Sequence, residues 1–202
     1  MQITGGRRTN VERAEATRTE LIRAGRALFV EKGYAETGTP EIVTAAGMTR
    51  GALYHHFADK QALFRAVVET ESAAVAQAVD DATPASMDAI AALRAGGDAF
   101  IKAMGEAGRT RLLLLDGPAV LGRETMDEID ARHGGRTLRQ GLAAAMEAGI
   151  IASLPLDALA AQLSAVFDRA ALAIANGADA GDQKRVIDAI IEGLVRTDVS
   201  GG

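Results

Sequence analysis

From residue 17 to residue 196 the apolar side chains recur at three- and four-residue intervals, and nowhere do they alternate with period two over the length of a strand. A chain patterned this way buries its apolar surface by packing helix on helix, so the fold class expected is all-α. Thr17-Arg18-Thr19-Glu20 has the spacing of a capping box and predicts a first helix through Leu21, Gly25, Leu28 and Phe29 to a stop at Gly33. Thr39 followed by Pro40 predicts a cap and first turn for a short second helix that ends at Gly47. Thr49 caps a third helix with Leu53 and Phe57 on one face, and Asp59 a fourth with Leu63, Phe64, Val67 and Val68. Residues 1 to 15, polar and arginine-containing, read as a tail. Beyond Pro84, helices are expected at about 86–105, 123–147 with a weak point at Gly134-Gly135, 157–175 and 182–196. The run Leu112–Leu115 is short enough for a strand, which would stand alone.

Composition narrows the chemistry. With no cysteine among 202 residues, thiol nucleophiles, disulfides and cysteine metal sites are excluded. Three histidines remain, of which His55 and His56 are adjacent and point about 100° apart on a helix, a poor start for a metal pair; neither metal nor cofactor is implied. The apolar runs near 148–156 and 170–178 are about half the length a membrane span requires, and the first residues lack the apolar segment of a secretory signal, so the expectation is a cytoplasmic protein with no membrane partner. Charge is unevenly placed: residues 1–60 carry nine Lys/Arg against seven Asp/Glu, and residues 61–202 thirteen against twenty. Phe29, Tyr34, Tyr54, Phe57 and Phe64 crowd the first third, leaving Phe100 and Phe167 for the remainder. Two cores of different texture are expected, a mildly basic head at 1–65 and an acidic body at 66–202.

Helices two and three, joined at Gly47, have the spacing of a helix-turn-helix: Ile42, Ala46, Met48 and Leu53 lock the pair, Val43 sits at the crossing, and Gly47 supplies the left-handed turn. With Leu53 and Phe57 inward, the outward side of helix three carries Thr49, Arg50, Gly51, Tyr54 and His55. These residue types suit the major groove of double-stranded DNA. Arginine forks onto guanine O6 and N7, threonine meets a base edge or a thymine methyl, and a residue without a side chain permits close approach. Tyr54 and His55 can donate to phosphates, Lys60 adds charge at the start of helix four, and Thr39 completes the candidate DNA-binding set. Arg7 and Arg8 are read as solubilising charge in preference to a minor-groove arm.

The run Ala45-Ala46-Gly47-Met48-Thr49-Arg50-Gly51-Ala52-Leu53-Tyr54-His55-His56-Phe57, with Gly33-Tyr34 before it and Asp59-Lys60 and Leu63-Phe64 after, resembles the amino-terminal domain of TetR-family regulators over residues 15 to 65. The body is similar to that family's plan in Asp116-Gly117-Pro118-Ala119-Val120-Leu121-Gly122 and Glu128-Ile129-Asp130, which are looser motifs. The resemblance implies an all-helical homodimer that binds a palindromic operator, represses nearby genes and is released by a small-molecule effector.

For the body, Phe100, Met104, Met126, Ile129 and Phe167 are candidate walls of a ligand cavity, with Arg123 and His133 as polar anchors that favour a neutral or anionic effector. Dimerisation is expected through about 157–196, where Ala161, Ala165 and Ala173 let helices approach and the last two helices carry broad apolar faces. Two rivals compete. A ligand-independent architectural DNA-binding protein would share the head, and the acidic body argues against its coating DNA. A helical enzyme would need a catalytic constellation, and Asp130 with His133 at i, i+3 has no nucleophile beside it.

Overall fold

The computed structural model describes residues 9–195. Arg7, Arg8 and Arg196 lie outside the described residues. All regular structure within them is helical, apart from one isolated bridge between Ile151 and Val195. The chain divides into two compact units between Val68 and Glu69.

The first unit contains α1 (Asn10–Glu36), α2 (Thr39–Ala45), α3 (Arg50–His56) and the start of α4 (Lys60–Ala82). Helix α1 is capped eight residues before the expected Thr17, because Thr9-Asn10-Val11-Glu12 is itself a capping box. The Thr9 hydroxyl accepts from Glu12 N at 3.2 Å and the Glu12 carboxylate from Thr9 N at 2.7 Å. Residues 10–15 are therefore helix and not tail. The expected stop at Gly33 survives as a break: its φ of 83° leaves helical space, and the buried Thr37 hydroxyl donates to the Gly33 carbonyl at 2.7 Å to hold the turn. Helix α2 starts one residue early, with Gly38 as cap and Glu41 reaching back to its N–H, so Thr39 is the first helical residue. Thr49 and Asp59 cap α3 and α4 as their spacing predicts. Phe29, Phe64, Leu21, Ile42, Leu53 and Leu63 are fully buried. The Phe64 ring stands edge-on to Phe29 at 5.1 Å and to Tyr34 at 5.0 Å, so three aromatics fill the space that the short helices enclose.

The second unit holds the rest of α4, then α5 (Ala89–Met104), a composite α6 (Arg109–Arg111, Leu112–Asp116, Gly117–Leu121), α7 (Arg123–Arg132), α8 (Gly134–Glu147), α9 (Leu156–Ala175) and α10 (Ala180–Glu192). The break at His133, between α7 and α8, falls beside Gly134-Gly135 as expected. Leu112–Leu115 is helical and not a strand. Its backbone bonds within the segment in a wide π turn, with Gly117 N donating to Leu112 O. Pro118 has no N–H to give to the Leu114 carbonyl, which is a local reason for the hydrogen-bonded ring to widen.

Leu93, Leu142, Ile151, Leu163, Phe167 and Ile191 centre the core of this unit. Gly97 on α5 lets α9 approach, since a Cβ there would sit 2.7 Å from the Phe167 ring. Helix α9 is the one described helix long and apolar enough to cross a membrane by length and composition, which corrects the expectation from uninterrupted runs. It carries Asp157, Asp168 and Arg169 and sends Leu163, Phe167 and Ala170 into this core, so one face of the helix is buried while 28% of its apolar window is covered in all.

Candidate nucleic-acid interface and effector cavity

Helix α3 owes its position to Leu53 and Phe57, which anchor it from inside, and to Gly47, whose φ of 63° turns the chain between α2 and α3. Met48 N donates to Val43 O at 2.8 Å across that turn, and Val43 is buried beside it, so a branched residue is accommodated at the crossing. The opposite side of α3 is open: Thr49, Arg50, Gly51, Tyr54 and His55 are all exposed.

These side chains are organised among themselves. The Arg50 guanidinium lies 5.4 Å from the centre of the Tyr54 ring. The Tyr54 hydroxyl hydrogen-bonds Thr39 and Arg50, which together hold its pKa below the ordinary phenol value. The Thr49 hydroxyl accepts from Ala52 N, leaving its proton free to donate outward. The His55 ring stands edge-on to His56 at 5.2 Å. A Cβ at Gly51 would meet only the Thr49 hydroxyl, at 3.8 Å, and the backbone there is ordinary helix, so nothing inside the unit calls for glycine.

Lys60 is placed differently from the rest. Its ammonium donates to the carbonyls of Tyr34 at 2.8 Å and Thr37 at 3.0 Å and lies 4.2 Å from the Tyr34 ring centre. Two of its three N–H groups thus close the loop between α1 and α2. Sequence reasoning missed this because the carbonyls exposed by the Gly33 break appear only in three dimensions.

In the second unit, two cavities share a wall. One, of about 410 Å³, lies among α4, α5, α8 and α9 and is lined by Leu93, Gly97, Leu138, Gly141 and Phe167. The other, of about 560 Å³, reaches Ser72 and Val75 of α4, Met104, and Arg123, Met126 and Ile129 of α7. Phe100, Asp130, Gly134 and Ser164 face both. Each volume falls in the range of about 300–1,000 Å³ usual for small-molecule sites. Of the seven residues expected around a ligand, Phe100, Met104, Arg123, Met126, Ile129 and Phe167 line one cavity or both, and His133 lines neither.

The polar character is also unlike the expectation. Asp130 and Asp168 face the larger cavity together with Arg123, one of the two expected polar anchors, while His133, the other, does not. Burial, followed by the nearby charge of Asp130, pushes Asp168 up to about 6 against the opposing pull of Arg123. Burial also raises Asp130, although its carboxylate accepts from Gly135 N at 3.1 Å. The signal for Asp168 lay in α9: it follows the buried Phe167 and stands one turn beyond Ser164, at the margin of an otherwise apolar stripe.

Helix α4 is tied to the other helices of this unit by ion pairs. Glu69 meets Arg132 at 2.9 Å, Glu71 meets Arg109 at 2.8 Å, and Asp80 meets Arg136 at 3.2 Å. Glu71 is 5% exposed, and the Arg109 guanidinium also donates to Ala103 O, so this pair is sheltered and further hydrogen-bonded.

The family profile described as bacterial regulatory proteins of the tetR family matches residues 21–67, and that of the tetracyclin repressor-like C-terminal domain matches residues 90–197. The transcriptional repressor BepR of Brucella suis is 42% identical over 62 residues, 31% of this chain and 29% of BepR. The transcriptional activator FasR of Mycolicibacterium smegmatis is 33% identical over 96 residues, 48% of this chain and 44% of FasR. The chain thus spans less than half the length of these curated relatives in the matched stretch. The crystal structure of a TetR-family regulator from Pectobacterium atrosepticum is 30% identical and superimposes with a TM-score of 0.72, covering 94% of this chain and 99% of that one. With one profile spanning over half its length and the other falling on the helix-turn-helix, this chain belongs to the TetR family of bacterial transcriptional regulators.

Proposed function

We propose that the protein is a dimeric, cytoplasmic repressor that binds a palindromic operator through α3 and is released when a small molecule enters the cavities of its second unit. The observation that carries this reading is the open face of α3: an arginine and a tyrosine held against each other, two further donors, and a glycine that the fold itself does not require. Gly51 makes sense if an outside body must come close to the helix backbone. Arg50 is assigned to a base edge, and Thr39, Thr49, Tyr54 and His55 to the flanking backbone and base contacts. Lys60, two of whose donors are spent on Tyr34 and Thr37, has one left for a phosphate.

Dimerisation is assigned to α9 and α10. Val186 and Ile190 are 58% and 36% exposed on α10, and apolar side chains in that number on a terminal helix suit a two-fold partner. Such a pair sets two recognition helices about 34–36 Å apart, one turn of DNA. Ligand control follows from α4, whose residues Ser72 and Val75 wall the larger cavity while its first turns belong to the first unit. An occupant that favours one position of α4 over another changes operator affinity by that differential free energy, typically about 1–3 kcal/mol. The regulatory sign is assigned as repression, as the resemblance of the head implies; the relatives compared include both signs.

Footprinting on the DNA flanking its own gene tests the reading. A discrete protected palindrome is expected. Arg50→Ala should relax discrimination at one symmetric base pair per half-site and cost about 1–3 kcal/mol, and Ile190→Glu should sediment as a monomer that no longer protects the site. Uniform, sequence-independent coverage would favour an architectural protein instead.

A further inference from the structure

Resting on the reading of these cavities as an effector site, we infer that the effector is a lipophilic monocation, a single protonated nitrogen on an apolar body, whose charge sits between Asp130 and Asp168 and whose body fills the smaller cavity. The distribution of charge along the two cavities supports this. Of the four residues common to both, Asp130 alone is charged. The smaller cavity has no lysine or arginine in its lining, and its other acid, Asp80, is paired with Arg136. Any anion placed there faces Asp130 with no counter-charge.

The larger cavity adds Arg123, Asp127, Asp168 and Arg169, so with Asp130 it presents three acids against two bases. Arg123, Asp127, Asp130 and Arg169 are exposed to solvent, which screens their charges, whereas Asp168 is half-buried, so the least screened charge facing an occupant is that of Asp168, with Asp130 beside it at the wall the two cavities share. Asp168 forms no hydrogen bond or ion pair among the described residues. A half-buried carboxylate without a hydrogen-bonded partner costs free energy that a cation recovers on binding, and burial raises its pKa in keeping with that cost. His133, which lines neither cavity, is the smallest of the influences on Asp130.

The walls decide the rest of the ligand. Phe100 and Phe167, with ring centres 5.8 Å apart, are the aromatic residues in this unit, and the remainder of the smaller cavity is mainly aliphatic or glycine, with Thr83, Thr137, Gln140 and Ser164 as its neutral polar groups. An aromatic cage of the kind that captures quaternary ammonium by stacking is therefore absent from these linings, and recognition of the charge falls to the two carboxylates. A primary or secondary ammonium, which donates hydrogen bonds as well as carrying charge, fits this donor-poor, acceptor-rich waist better than a quaternary one.

Isothermal titration of the full chain with three probes of one length, octylamine, octanol and octanoate, separates the possibilities. Near neutral pH octylamine should bind about tenfold or more tighter than either of the others. Asp168→Asn should remove most of that preference while keeping a melting temperature at or above that of the parent, and Asp182→Asn, an exposed acid on α10, should leave it intact. Lowering the pH through about 6 should weaken octylamine in the parent, as Asp168 takes up a proton, and have less effect in Asp168→Asn. Octanol or octanoate binding as well as octylamine overturns the cationic class and leaves the cavity as a ligand site. A preference for octylamine that survives Asp168→Asn overturns the placement of the charge. If none of the three binds, the effector-site reading itself fails, and this inference with it.

Discussion

The two units solve different packing problems with the same helices. In the first, three aromatic rings within 6 Å of one another and fully buried leucines close a small volume around a seven-residue helix. In the second, glycines at 97 and 141 and many alanines bring long helices together, and space between them remains, including the two cavities that share a wall. A reader of DNA must hold a short helix still, which takes dense packing, because so short a helix is not stable alone. A sensor of small molecules must keep room for one, and forgoes the dispersion contacts that would otherwise fill it.

Truncating one aromatic in each unit breaks the comparison most sharply. Phe64→Ala removes the central ring of the first unit and should cost about 3–5 kcal/mol, enough to melt it. Phe167→Ala should cost less, toward the lower end of that range, because its ring already borders a cavity that enlarges without a new void being opened in tight packing. Two melting transitions followed by fluorescence and circular dichroism would check this, and equal losses would remove the contrast in packing.

Asp168 sharpens the comparison from the electrostatic side. The folded protein holds this proton up to about pH 6, whereas the unfolded chain releases it near 3.8, so stability declines as pH rises between those values and the penalty is complete above them. A shift of that size corresponds to roughly 3 kcal/mol. Asp168→Asn should therefore be more stable than the parent near neutral pH by up to about that amount, with the difference vanishing near pH 4 in urea titrations at several pH values.

A smaller effect is expected from Lys60→Ala, which breaks two hydrogen bonds and the contact with the Tyr34 ring in the first unit. It should lower the stability of that unit by about 1–3 kcal/mol. If its remaining donor also meets a phosphate, the slope of log affinity against log salt falls by about 1 per subunit, measured where the variant is fully folded. A stability loss with unchanged slope assigns Lys60 to the loop alone.

Much of this was legible in residue order. Helical periodicity, the caps at Thr49 and Asp59, Gly47 and the break by Gly134-Gly135 are local devices, since a cap satisfies backbone groups three residues away and a glycine turn needs no distant partner. The same locality allowed two errors. Thr9 and Thr17 both begin a capping-box pattern, and it is Thr9 whose reciprocal bonds with Glu12 form, although residues 10–16 of the helix it starts are all exposed. Leu112–Leu115 has a strand's apolar run, and only the lack of a partner strand among the described residues makes it helix.

What the order of residues determined about this protein is therefore its family, its helices and the outward face of α3, all properties of short stretches. The tertiary structure decided what Lys60 holds, which acids meet across the cavities, and that His133 stands outside them. Those facts depend on residues brought together from distant parts of the chain, Asp130 and Asp168 from 38 positions apart, and no periodicity within one helix records which face of another will be its neighbour.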